Sequence, residues 1–71
     1  MIIIKNVEEI KRRILMYILP GRVDGITAGT VWAEGRVSYT DAELAIIELE
    51  KEGRLIRYTE GLVEPVWKKN C

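Results

Sequence analysis

Five carboxylates crowd one short stretch of the chain. Asp41, Glu43, Glu48, Glu50 and Glu52 fall between Tyr39 and Glu52, with Lys51 the single base among them. Paired acid–base chemistry needs carboxylates that converge across a cleft. These lie along one segment and read instead as helix capping and solvation. The rest of the chain offers no catalytic set. It has no histidine, no nucleophile elbow, no P-loop and no glycine-rich phosphate cradle. The single cysteine, Cys71, has no disulfide partner and cannot build a metal site alone. The expectation is a protein that is not an enzyme and needs no cofactor or metal.

The bases are gathered elsewhere. Lys11, Arg12 and Arg13 form one run, and Arg54, Arg57, Lys68 and Lys69 lie near the C-terminal end with Glu60 and Glu64. The 71 residues carry 11 bases and 11 acids, a net charge of zero. A free-standing nucleic-acid binder usually shows a basic excess, so here such a role must rest on how charge is distributed. Cysteine usage fits a reducing compartment, and a cytoplasmic location is expected. No apolar run reaches the length of a membrane span. Met1–Ile4 before Lys5 is too short for a signal-peptide core.

These charges must be positioned by a single small domain over residues 1–71. Nearly half the residues are apolar, so a compact core is possible without any phenylalanine. Residues 1–5 form a β-prone apolar run, expected to be a strand or a greasy end covered by the domain or another subunit. Asn6 with Glu9 reads as a capping box opening a first helix over 6–19. Val7, Ile10, Ile14, Tyr17 and Ile18 repeat on its inner stripe. Glu8 can reach Arg12 and Glu9 can reach Arg13. Pro20-Gly21 stops it. Asp24-Gly25 marks a turn, and Ile26 reads as a brief bridging strand. Thr27 caps a short second helix over 27–34, with Val31 and Trp32 on its buried side and Gly35 at its left-handed end.

The third helix spans 39–52. Ser38 and Thr40 compete as N-caps, Gly53 ends it, and Ala42, Ala45, Ile46 and Leu49 share one face. Residues 54–68 then change period to a hairpin: Arg54–Tyr58 and Leu62–Lys68 flank the turn Thr59-Glu60-Gly61. Pro65 must keep out of the ladder. Trp32 and Trp67 are both expected in the core or at its rim.

This order, with Val37-Ser38 opening the third helix and Leu49-Glu-Lys-Glu-Gly-Arg-Leu-Ile56 leading into the hairpin, resembles the winged helix-turn-helix superfamily. The likeness covers roughly residues 7 to 69 and implies an α+β fold, three helices followed by a two-stranded wing. It also implies a small, dimeric, DNA-binding transcription-regulator-like module, with helix 3 in the major groove and the wing on the backbone. The ending Pro65-Val66-Trp67-Lys68 further resembles Zα domains. Those carry Asn and Tyr on the recognition helix where this chain has Glu43 and Ile47, so their activity is not carried over.

Two functions compete on the outer face of helix 3. Rotating about 100° per residue from the apolar stripe brings Thr40, Leu44, Ile47 and Lys51 outward, flanked by Glu43 and Glu48, with Tyr39 at the edge. For double-stranded DNA the candidate contacts are Tyr39, Thr40, Lys51, Arg57, Lys68 and Lys69. Yet the helix carries no Arg, Asn or Gln, and phosphate would be repelled by most of it. The alternative is a protein partner or second copy docked on Glu43, Leu44, Ile47 and Glu48. A third reading is that helix 1 or the Met1–Ile4 run covers Leu44 and Ile47, so the deciding observations are their exposure together with the oligomeric state.

Overall fold

The computed structural model describes the backbone of residues 2–70 and the side chains of residues 7–70. The fold is α+β, with three helices followed by a two-stranded antiparallel hairpin, the layout expected of a winged helix. Helix α1 is Ile2–Arg13, α2 is Ala28–Gly35 and α3 is Tyr39–Lys51. Strand β1 is Leu55–Tyr58 and β2 is Val66–Lys69.

The first helix differs most from expectation. It does not open at Asn6, because helical backbone already runs from Ile2, so residues 2–4 are not a strand. Met1 lies outside the described residues. After Arg13 the helix widens into a π-turn, Ile14–Ile18, and then tightens into a 3₁₀ turn, Leu19–Gly21, at Pro20. In the π-turn the Leu19 N–H donates to the carbonyl of Ile14, five residues back. The wider turn keeps Ile14 and Ile18 on the core together and swings Tyr17 out, where it is exposed. An even 3.6-residue period would have put Tyr17 inside.

Caps set the other two helices. The Thr27 Oγ1 accepts from the Thr30 N–H and the Thr30 Oγ1 accepts from the Thr27 N–H, closing a capping box. The left-handed residue after α2 is Arg36, at φ 55°, and not Gly35, which is the last helical residue. Gly35 is buried within reach of Ile18 and Val31. Ser38 wins the competition to cap α3, its Oγ accepting from the Asp41 N–H at 3.1 Å.

The loop after α1 is pinned to the hairpin. Ile26 exchanges two 2.8 Å backbone hydrogen bonds with Trp67, a single isolated bridge beside β2. Gly25, at φ +102°, makes this possible. A Cβ there would meet the Trp67 carbonyl oxygen at 3.1 Å. Strands β1 and β2 pair from Leu55↔Lys69 to Tyr58↔Val66. The connection, residues 59–65, is longer than a tight turn, and Pro65 precedes β2 without interrupting its ladder.

Ile10, Ile14 and Ile18 pack with Val31, with Ala42, Ala45, Ile46 and Leu49 of α3, and with Leu55 and Trp67 of the hairpin. Each large aliphatic side chain buried this way contributes about 1.5–3 kcal/mol. Lys11 is buried at the edge of this core and bonds to Glu52 at the C-terminal end of α3 and, at 3.4 Å, to Glu8. Its partners hold its pKa above the ordinary lysine value, the hydrogen bond to Glu52 outweighing the opposing effect of burial. Among the described residues, no helix is long and apolar enough to cross a membrane.

Candidate interaction surface on the third helix

The inner stripe of α3 is sealed, so the remaining positions define its outer face. Thr40, Glu43, Leu44, Ile47, Glu48 and Lys51 are all exposed. Leu44 keeps 44% of its surface accessible and Ile47 41%. Two large aliphatic side chains therefore face solvent on a regular helix, with Glu43 and Glu48 beside them.

An aromatic pair extends this surface. Trp32 of α2 is 53% exposed, contrary to its expected place in the core, and Tyr39 is 49% exposed. Their rings meet edge to face with centroids 6.4 Å apart. Trp32 follows Val31 directly, and α2 has room for one buried stripe. Ala28, Val31 and Gly35 occupy that stripe, which leaves Trp32 outside. Tyr39, Glu43 and Ile47 then follow at intervals of four along α3, so the aromatic edge and the aliphatic patch share one side of the helix.

Trp67 does the opposite. It is only 8% exposed, and its indole N–H donates to Glu50 Oε1 at 3.0 Å. The other oxygen of Glu50 lies 3.7 Å from Arg57 Nε. Glu50 thus joins α3 to both strands, and Arg57 faces a carboxylate of its own domain before any phosphate.

The other DNA candidates are dispersed in the same way. Lys68 Nζ sits 5.1 Å from the centre of the Tyr58 ring, a cation–π contact. Lys68 and Lys69 line a groove of about 400 Å³ with Leu15, Leu19, Pro20 and Val23, none of which belongs to α3. Arg22, also on that rim, pairs with Glu34. Tyr39 and Thr40 are on α3 and Lys51 is at its far end. Of the six, Lys68 and Lys69 share the groove, Arg57 lies beside Glu50, and Tyr39, Thr40 and Lys51 are on α3. Arg13, outside both candidate sets, bridges to Glu9 and to the Gly35 carbonyl. Arg12 pairs with Glu9 at 2.7 Å, one position closer than the i,i+4 partner expected, and this holds the Glu9 carboxyl below its ordinary pKa.

Sequence reasoning missed Trp32 as a surface residue. Its signal was present in the three small residues Ala28, Gly29 and Gly35, which leave α2 too short and too narrow for two large buried side chains. Among the described residues, no group of His, Cys, Asp and Glu could hold a metal ion. No family model, curated protein or solved structure matches the chain.

Proposed function

We propose that this domain is a protein-interaction module of winged-helix-like layout, docking a partner on the outer face of α3. The observation that carries this is the joint exposure of Leu44 and Ile47 between Glu43 and Glu48. An apolar patch with a charged rim is the ordinary anatomy of a protein interface, and exposed Trp32 and Tyr39 supply the aromatic anchors that dominate interface energetics. Between Tyr39 and Glu52 the chain carries five acids and one base. A duplex would meet this helix with like charge, whereas a surface offering apolar side chains ringed by Lys or Arg would meet it with opposite charge.

The DNA-binding reading keeps one supporting feature, the exposed cations of the hairpin end. Lys68 and Lys69 line the groove with Leu15, Leu19 and Val23, while the helix that would read bases carries five acids and one base, so DNA binding in this reading would rest on the cations of the hairpin.

The test is a pair of titrations at low salt. One uses a fluorescently labelled amphipathic helical peptide of Leu and Lys, the other a random-sequence duplex. The peptide is expected to bind, more weakly as salt rises, and to lose binding in Leu44→Asp with Ile47→Asp. The duplex is expected to show no binding. Failure of the peptide to bind would overturn the proposal. So would duplex affinity that falls steeply with salt and flattens in Arg57→Ala with Lys68→Ala.

A further inference from the structure

The acidic, apolar face of α3 has a counterpart on the same molecule. The groove between the end of the first helix and β2 has an aliphatic floor of Leu15 and Leu19, an exposed apolar lip at Val23, and Lys68 and Lys69 on its rim. One surface is apolar with carboxylates around it, and the other is apolar with ammonium groups around it. The charge of the chain divides in the same way. Residues 39–52 hold five acids and one base, while the rest of the chain holds six acids and ten bases. The net charge of zero is therefore the sum of two opposed regions.

We infer that the partner of the α3 face is the Leu15–Val23 groove of a second copy of this chain, joined head to tail. This rests on the docking role proposed for α3 and names its occupant. Leu44 and Ile47 enter the aliphatic groove, and Glu43 and Glu48 meet Lys68 and Lys69. This is a helix laid into a groove, with anchors at i and i+3.

The symmetric alternative is opposed by electrostatics. In a two-fold dimer through α3, each copy presents the same patch to the other, so Glu43 and Glu48 would face a second set of carboxylates. A two-fold contact through the groove would likewise set lysines against lysines. The head-to-tail contact satisfies both surfaces. It also leaves each molecule with one free surface of each kind, because no residue of α3 lines the groove. Association of this type continues into a ring or an open chain and does not stop at a dimer.

Sedimentation velocity on the whole domain tests the inference with two complementary variants. The first, Leu44→Asp with Ile47→Asp, disables the helix face and makes it more acidic. The second, Val23→Asp with Lys69→Glu, disables the groove at two exposed positions. Wild type is expected to grow in mass with concentration beyond the dimer and to dissociate as salt rises. Each variant alone is expected to remain a monomer and to keep cooperative unfolding, with a midpoint close to that of wild type when both are diluted to the monomer. An equimolar mixture is expected to form a 1:1 dimer that grows no further, since one intact face meets one intact groove. A wild type that stays monomeric to millimolar concentration overturns the inference, and the docking role of α3 then stands or falls on the Leu/Lys peptide. A wild-type dimer that does not grow, or variants that fail to complement on mixing, overturns the head-to-tail arrangement.

Discussion

The two sides of α3 are built from the same kinds of apolar residue and have opposite consequences. Ala42, Ala45, Ile46 and Leu49 are buried to within 1% of their surface. Leu44 and Ile47, a few ångströms away around the same helix, remain more than two-fifths exposed. The inner residues are held in place by α1, α2 and the hairpin. The outer ones lie outside that cluster, with the exposed carboxylates of Glu43 and Glu48 beside them. The difference separates what the helix does for the domain from what it presents to other molecules.

That separation is broken most severely from the inside. Trp67→Ala removes the lid of the core and its bond to Glu50, and about 3–5 kcal/mol of stability is expected to go with it in urea unfolding. Leu49→Ala, at the centre of the inner stripe, is expected to cost about 2–5 kcal/mol. Gly25→Ala is expected to be the next most damaging. It forces a Cβ against the Trp67 carbonyl at a positive φ, and a loss of more than about 1 kcal/mol is expected, greater than for Gly53→Ala, where the added Cβ meets open space.

The tie between Lys11 and Glu52 sharpens the boundary of the inner face through pH. The folded-state pKa of Lys11 is raised. Its stabilisation is therefore fully present below the ordinary lysine value and is lost as pH rises through the raised one. Unfolding midpoints measured across this alkaline range should fall for wild type, and the Lys11-dependent part of that fall should vanish in Lys11→Met. The smallest stability effect belongs to the outer face. Leu44→Asp with Ile47→Asp is expected to cost about 1 kcal/mol, from the lower helix propensity of Asp and its repulsion by Glu43 and Glu48. Unfolding by this variant would show the two residues to be core.

Much of this arrangement was legible in the sequence. Caps at Thr27 and Ser38, the stop at Gly53 and the inner stripe of α3 follow from local chemistry that the fold does not override. The Ile26 bridge was also foreshadowed by a lone β-branched residue after Asp24-Gly25. What the sequence concealed depended on non-local or irregular geometry. The π-turn over Ile14–Ile18 broke the period that would have buried Tyr17. Trp32 was displaced by competition for a narrow α2 stripe. Arg57 is exposed as a solvent-facing cation should be, but its neighbour Glu50 lies across the fold on α3 and no local spacing announces it. The groove joins the stretch from Leu15 to Val23 with Lys68 and Lys69 at the far end of the chain, so no spacing rule could reveal it.

The central claim is that the outer face of α3 serves binding and not folding. Equilibrium binding of the labelled Leu/Lys peptide to wild type and to Leu44→Asp with Ile47→Asp tests it most directly, with unfolding measured on the same samples. At least about a tenfold loss of affinity is expected in the variant, about 1.4 kcal/mol, with cooperative unfolding retained in the absence of peptide. Equal affinity for the two proteins, or a variant that no longer folds, would contradict it.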